Sequence, residues 1–171
     1  MCPHGPEALP LPHTPVASGR RHVPARYADN RRIWINLRDV FPHHYTLADA
    51  RFFLELMATE KPQTTFAIAT ASEAIGCIGL RLGADVHRRT AELGYWLGEP
   101  FWGRGIMTEA VGAFTPRAFE WFDLVRIYAE PFASNASSIR VLEKAGFACE
   151  GRLRAQGQSG SGCDSLRETS G

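Results

Sequence analysis

Two segments in the first third of the chain, 27–37 and 46–60, carry apolar residues at helical spacing. In the first segment, the apolar positions are Ile33, Trp34 and Leu37. In the second, they are Ala50, Phe53, Leu54 and Met57, which share one helical face. Thr46 and Asp49 open the second segment as a variant of the Ser/Thr-x-x-Glu capping box. The pattern therefore predicts two early helices.

Short runs with the composition of β-strands follow these helices. The runs 64–71 ("TTFAIATA") and 75–82 ("IGCIGLRL") are separated by a turn-like "SEA" and predict a hairpin. The remaining elements alternate: strand 91–98, helix 106–122, strand 125–132, helix 135–146 and strand 147–154. Pro116 lies four residues after Gly112 within the long helix, so we expect a kink or two helical pieces there.

This order of elements predicts an α/β (α+β) fold with a mixed sheet. The composition changes at both ends of the pattern. Residues 1–24 hold six of the eleven prolines and are predicted to be extended or disordered. Residues 155–171 form a polar, Gly/Ser-rich tail. The predicted folded domain therefore covers residues 25–154.

Charge and cysteine content narrow the functional classes. The formal net charge of +1 gives no electrostatic argument for binding nucleic acid or an anionic membrane. No apolar run approaches the ~20 residues that cross a bilayer. The cysteines Cys2, Cys77, Cys149 and Cys163 form no C-x-x-C pair. A soluble, cytoplasmic protein is therefore predicted.

The stretch "EPFWGRGIMTEA" (99–110) joins a predicted strand to a predicted helix. Unpaired N–H groups at a helix start favour an anion, and Gly103 and Gly105 would let the backbone approach one closely. No Gly-Lys-Ser/Thr follows, and Thr108 stands where a dinucleotide fingerprint requires glycine. Taken alone, the loop indicates either a phosphate-bearing ligand or a tight turn.

Two motifs that follow one another along the chain resemble those of a known family. The run "AELGYWLGEPFWGRGIMTEAV" (91–111), followed by "NASSIRVLEKAGF" (135–147), closely resembles the GNAT N-acetyltransferases, nearest the RimJ/RimL-like branch. The resemblance covers about residues 27–154 and implies a mostly antiparallel mixed sheet flanked by helices. It also implies acetyl-CoA as donor, no metal, and as acceptor a protein N-terminus or a small-molecule amine. A homodimer is left open.

The resemblance also assigns coenzyme-binding residues. The pyrophosphate would lie on the loop formed by Trp102, Gly103, Arg104, Gly105, Ile106, Met107 and Thr108. Trp102 replaces the Gln or Arg of the family motif, and Met107 replaces a small residue. The pantetheine arm would pair with the backbone of Trp96, Leu97 and Gly98, and Asn135 would help to fix it. Asn135 is also a sound helix N-cap.

Glu92 is the predicted general base, because several enzymes of the family that the chain resembles carry a glutamate at about this place on the strand before the loop. A single charged residue in an apolar strand is also costly unless it is exposed or functional. The alternative is that it faces solvent from the outer face of the sheet. Glu99 and Glu109 are weaker candidates.

Ser138 lies three residues after Asn135, at a position where the RimJ/RimL-like branch often has a serine. It is predicted to bind the coenzyme near its sulfur or to protonate the thiolate, and the alternative is a bond to its own helix backbone. Many GNAT enzymes have a tyrosine where this chain has Leu142. His43 and His44 are candidates for the acceptor pocket, or exposed loop residues without a task.

The resemblance fails at the ends, where the family's first and last strands are predicted to be missing or altered. Truncation, divergence or a change of reading frame would each produce this pattern. Three functions therefore remain at this stage. They are an N-acetyltransferase acting by direct attack, a degenerate or truncated coenzyme A-binding module without turnover, and a structural protein whose glycine loop is only a turn.

Overall fold

The computed structural model of the protein describes residues 25–153 and 163–168. The helices of this part are α1 (Ala25–Ala28), α2 (Arg31–Trp34), α3 (Leu47–Thr59), α4 (Ile106–Trp121) and α5 (Ala136–Lys144). The strands are β1 (Thr65–Ala69), β2 (Ala74–Leu82), β3 (Thr90–Leu97), β4 (Arg126–Ala129), β5 (Ala148–Leu153) and β6 (Cys163–Glu168). None of the helices in the described ranges has the length and apolar character of a membrane span.

Capping decides where the early helices begin. The segment predicted as one helix over 27–37 holds two short helices, because Asn30 has extended backbone angles and accepts a hydrogen bond from the Arg32 N–H. The prediction of one continuous helix is therefore wrong. The predicted capping box at α3 is confirmed, since the Thr46 hydroxyl accepts from the Asp49 N–H and the Asp49 carboxylate accepts from the Thr46 N–H.

The six strands form one sheet in the order β1-β2-β3-β4-β6-β5. Among the strand pairs of the described residues, only β3–β4 is parallel. This confirms a mixed, mostly antiparallel sheet flanked by helices. The β3–β4 register runs from Thr90 opposite Arg126 to Glu92 opposite Tyr128, while β3 itself continues to Leu97. A split therefore opens in the sheet beside the second half of β3.

The last strand of the sheet corrects one expectation. Residues 163–168 lie in the segment predicted as a polar tail, yet they form β6, which pairs with β4 on one side and with β5 on the other. The expectation of a missing last strand is wrong. The residues of β6 show no alternating apolar pattern, but their backbone groups find hydrogen-bonding partners in the strands on both sides. Residues 1–24, where a first strand is also expected to be missing, lie outside the described residues.

The main core lies between one face of the sheet and the helices α4 and α5. Its most buried side chains include Val111, Phe114, Ile127 and Leu142, each with no exposed surface. A second cluster of Ala28, Tyr45 and Ala50, with Phe41 and Trp96 packed against it, brings residues from α1 and α3 together with Trp96 of β3. The site described below lies at the edge of the main core.

Helix α4 runs without interruption from Ile106 to Trp121 and contains Pro116. The expectation of two helical pieces is therefore wrong. Residues on both sides of the proline, Val111, Phe114 and Ala118, are fully buried. Their packing stabilises the helical geometry at a position where the Gly112 carbonyl loses its usual N–H partner.

Candidate active site

The connection from β3 to α4 contains two glycines with left-handed backbone angles. The angle φ is +72° at Gly103 and +79° at Gly105, values that residues with a side chain rarely adopt. Nothing in the described structure lies within 4 Å of a Cβ built at either position. The backbone conformation, rather than crowding, therefore requires glycine in this loop.

The start of α4 presents uncapped amide groups. Gly105 is the N-cap and offers no side-chain cap, and the first helical hydrogen bond is donated by Glu109 to the Gly105 carbonyl. The N–H groups of Ile106, Met107 and Thr108 come before that bond and lie at the positive end of the helix dipole. This arrangement is suited to binding an anion such as a phosphate.

The side chains of the loop serve different purposes. The Trp102 indole Nε1 donates to the Leu97 carbonyl at 2.7 Å and ties the loop to the end of β3. Arg104 is exposed, with its guanidinium carbon 5.7 Å from the centre of the Phe101 ring. Met107 is only 6% exposed and packs in the core. Among the residues predicted to hold a pyrophosphate, Met107 can therefore offer only its backbone N–H.

The backbone of β3 offers hydrogen-bonding groups to the split. The Gly98 N–H donates to the Ile75 carbonyl of β2 at 2.7 Å. Because backbone groups alternate in direction along an antiparallel strand, those of Trp96 and Gly98 face β2, and those of Tyr95 and Leu97 face the split. Of the residues predicted to pair with pantetheine, Leu97 therefore directs its backbone groups to the split, whereas those of Trp96 and Gly98 are directed to β2. Tyr95 is a further position that faces the split, and the Leu97 carbonyl already accepts from Trp102.

The start of α5 faces the same split. The Asn135 side-chain oxygen accepts a hydrogen bond from the Ser138 N–H at 3.1 Å, so Asn135 is the N-cap of α5. The Ser138 hydroxyl lies 2.7 Å from the Tyr95 hydroxyl, and the Tyr95 hydroxyl also donates to the Ser138 carbonyl at 3.2 Å. Tyr95 thus bridges from β3 to the first turn of α5.

Tyr95 is a functional candidate that the sequence analysis missed. Burial raises the pKa of the Tyr95 phenol to about 12, and the hydrogen bond with Ser138 opposes this rise. The phenol therefore stays protonated at neutral pH. The sequence offers one weak signal, a hydroxyl-bearing residue in the "GYWL" strand, and nothing in it connects position 95 with position 138.

Glu92 is buried, with 8% of its surface exposed. The alternative that it faces solvent is therefore wrong. One carboxylate oxygen accepts from Arg38, in the segment after α2, and the other accepts from Arg81, its cross-strand neighbour on β2. Both oxygens are thus already engaged by guanidinium groups, which leaves little room for a proton from an amine.

The surroundings of Glu92 form a charged cluster that we call the Glu92 cluster: Arg38, Arg81, Glu92, Tyr128 and Glu130. Tyr128 lies opposite Glu92 in the β3–β4 register, and Arg38 also lies 3.6 Å from Glu130. Burial, followed by the charges of Glu92 and Glu130, raises the pKa of the Tyr128 phenol. The two arginines were not identified from the sequence, because their role depends on the packing of β2 and of the segment before α3.

The other predicted acidic candidates, Glu99 and Glu109, have different surroundings. Glu99 accepts hydrogen bonds from Arg32 and from the Asn30 amide, the latter at 2.6 Å. Glu109 is exposed in the first turn of α4, where a carboxylate stabilises the helix dipole. The contacts of Glu99 and the helix position of Glu109 each offer a structural role for the residue.

His43 and His44 lie in the segment between α2 and α3. Their Nδ1 atoms each lie 3.7 Å from Oδ1 of Asp29, and the three ligating atoms lie within 4.8 Å of one another. The His43 ring also stacks on Trp34, with a centroid distance of 5.1 Å. The same segment contacts β3 where Phe41 packs edge-on against Trp96.

A family model described as the acetyltransferase (GNAT) domain matches residues 20–148. The chain belongs to the GNAT acetyltransferase family. This GNAT chain is 44% identical over 91 residues to the "Probable N-acetyltransferase YjcK" of Bacillus subtilis (strain 168). The aligned residues make up 52% of this chain and 50% of the relative. The match spans about half the length of that curated relative.

The fold of this GNAT chain is shared by many solved structures, including the following two. RimL, the ribosomal L7/L12 alpha-N-protein acetyltransferase in complex with coenzyme A, has a TM-score of 0.73, with 18% identity and 85% coverage of each chain. AAC(6')-Ib in complex with paromomycin and acetyl-CoA has a TM-score of 0.64, with 19% identity and 85% coverage of each chain. These likenesses establish the fold, whereas the family model establishes membership.

Proposed function

We propose that this GNAT chain transfers the acetyl group of acetyl-CoA to a primary amine by direct attack of the amine on the thioester. The observation that carries the proposal is the split in the sheet. Because β3 and β4 are parallel, the glycine loop after β3 and the start of α5 after β4 lie at the same edge of the sheet. An anion site, backbone groups of β3 that face away from β2 and a hydroxyl therefore converge there.

The residues present fit coenzyme A part by part. The amides of Gly103 to Thr108 would hold the pyrophosphate, since φ at Gly103 and Gly105 is positive and no side-chain cap occupies the helix start. The backbone groups of Tyr95 and the N–H of Leu97 would hold the pantetheine arm by strand-like pairing, while the Leu97 carbonyl accepts from Trp102. When bound, acetyl-CoA supplies an activated acyl group on a thiol leaving group.

The acceptor amine must be deprotonated before it attacks, and Glu92 remains our proposed base. Both of its oxygens are engaged in the structure, so this role requires Arg38 or Arg81 to release one oxygen when the acceptor enters. The side chains of these arginines are 52% and 67% exposed, which leaves them room to move. A protein N-terminus and a small-molecule amine both remain proposed acceptors.

A second candidate function is coenzyme A binding without turnover. The observation that favours it is the same engagement of Glu92 by two arginines. Calorimetry with coenzyme A tests the binding that both candidates share. Thiol release from acetyl-CoA over a panel of peptide and small-molecule amines separates them, because only an acetyltransferase releases thiol in proportion to the amine.

Glu92→Gln tests the base. We expect slower turnover, an altered pH profile and unchanged coenzyme A affinity. The matched control is Glu73→Gln, which removes the charge of a half-buried glutamate that hydrogen-bonds Tyr27 outside the split. An unchanged rate and pH profile for Glu92→Gln would remove Glu92 from the mechanism. The RimJ/RimL-like branch, a cytoplasmic location and a homodimer remain predictions.

A further inference from the structure

The contact between Tyr95 and Ser138 has two hydrogen-bond acceptors but only one phenol proton to share between them. The phenol oxygen lies 2.7 Å from the Ser138 hydroxyl and 3.2 Å from the Ser138 carbonyl. In one arrangement, the phenol donates to the carbonyl and the serine hydroxyl donates to the phenol. In the other, the phenol donates to the serine hydroxyl, which then directs its own proton to a third group.

The second arrangement matters if coenzyme A occupies the split. Tyr95 directs its backbone groups and Leu97 its N–H to this gap, and Ser138 borders it from the first turn of α5. A pantetheine arm lying along β3 would bring its sulfur toward the Ser138 hydroxyl. A hydrogen bond from that hydroxyl stabilises the negative charge that develops on the sulfur as the acyl group leaves.

The tyrosine itself is a poor acid for this sulfur. Burial raises the pKa of Tyr95 to about 12, whereas a free cysteine thiol has a pKa of about 8.5. A phenol proton would therefore stay on Tyr95 rather than move to a thiolate. The role left to the phenol is to orient the serine proton.

We propose that Tyr95 is a positioning residue that holds the Ser138 hydroxyl as a hydrogen-bond donor to the sulfur of bound coenzyme A. The inference rests on the proposed function, because it needs coenzyme A in the split. Tyr95 keeps its proton throughout. Only the direction of its existing hydrogen bond changes, from the Ser138 carbonyl to the Ser138 hydroxyl.

The test titrates the thiol of coenzyme A in its complex with the protein. Thiolate absorbance is followed against pH, and the complex with desulfo-coenzyme A serves as the blank. A hydrogen bond to the thiolate lowers the pKa of the bound thiol. We therefore expect this pKa to rise by about one unit in Tyr95→Phe and in Ser138→Ala, and no further in the double variant.

Turnover provides the second measurement. Tyr95→Phe should lower kcat about ten-fold and leave the KM for acetyl-CoA within about two-fold, because the interaction strengthens only as the thiolate forms. The matched control is Tyr27→Phe, which removes a phenol bonded to Glu73 at 3.0 Å while keeping a buried ring. It should change neither the thiol pKa nor kcat.

The outcomes separate the two proposals. If the unmodified chain shows no saturable binding of coenzyme A, both the proposed function and this inference are wrong. If coenzyme A binds but the thiol pKa is the same in all variants, this inference fails and the proposed function stands. Additive effects of the two substitutions would also overturn it, since they would mean that Tyr95 does not act through Ser138.

Discussion

Three glycines allow backbone strain to be separated from ligand binding. Gly105 in the loop and Gly146 after α5 both have positive φ, at +79° and +96°, and nothing lies within 4 Å of a Cβ at either position. Gly112 in α4 has equally open surroundings and ordinary helical angles. Alanine at these positions therefore adds strain in two cases and none in the third.

The free energy of unfolding should follow the backbone angles. A side-chain-bearing residue in the left-handed region costs roughly 1–2 kcal/mol, so Gly105→Ala and Gly146→Ala should each destabilise the protein by about that amount. Gly112→Ala should stabilise it by about 0.5–1 kcal/mol, because alanine favours a helix interior. Urea denaturation measures all three changes.

Coenzyme A affinity should depend instead on whether the substituted glycine lies in the loop between β3 and α4. If the loop backbone relaxes in Gly105→Ala, the pyrophosphate loses one or two charge-assisted hydrogen bonds, each worth about 1.5–3 kcal/mol. The dissociation constant should therefore rise at least ten-fold by calorimetry. Gly146→Ala should bind coenzyme A as the unmodified chain does. Equal affinities in these two variants would refute the assignment of the loop.

A truncated ligand locates the loss on the coenzyme. Pantetheine lacks the pyrophosphate, so its affinity should be the same for Gly105→Ala and for the unmodified chain. A loss of pantetheine affinity equal to the loss of coenzyme A affinity would mean that the substitution disturbs the whole site.

Three further predictions concern stability and reactivity. Asn135→Ala should destabilise the protein by about 1 kcal/mol in urea, because the Ser138 N–H loses its cap, and no change would contradict the capping assignment. Iodoacetamide should modify exposed Cys149 and spare Cys77 in the native protein, since burial raises the pKa of the Cys77 thiol to about 12; mass spectrometry of the peptides checks this. The pKa of Tyr95 in the folded state, about 12, lies above the ordinary value of 10.0. The contribution of the protonated phenol to the free energy of unfolding is therefore fully present below pH 10 and is lost as the pH rises toward 12. Denaturation across that range should show a smaller decline for Tyr95→Phe than for the unmodified chain.

The sequence predicts the elements that local chemistry determines. The Thr46 and Asp49 capping box, the Asn135 cap and the turn residues Gly103 and Gly105 act within a few positions of themselves. The structure places each of them as their residue types require. The order of strands and helices follows from the same local signals, and it sufficed to predict a mixed sheet.

The sequence fails where contacts between distant segments decide the outcome. Strand β6 forms because β4 and β5 offer ladders on both sides, although its own residues show no strand pattern. Glu92 is held by arginines 54 and 11 positions away, and Tyr95 meets a serine 43 positions away. The spacing of residues along the chain does not predict such pairs.

Acetyl transfer itself is tested by incubating the full chain with acetyl-CoA and a panel of peptides and small-molecule amines. Mass spectrometry of the amines then reads the products. We expect an amine that gains one acetyl group, at a rate that rises with enzyme concentration and falls in Gly105→Ala but not in Gly146→Ala. Saturable binding of acetyl-CoA with no acetylated amine across the panel would contradict it and leave coenzyme binding without turnover as the function of the chain.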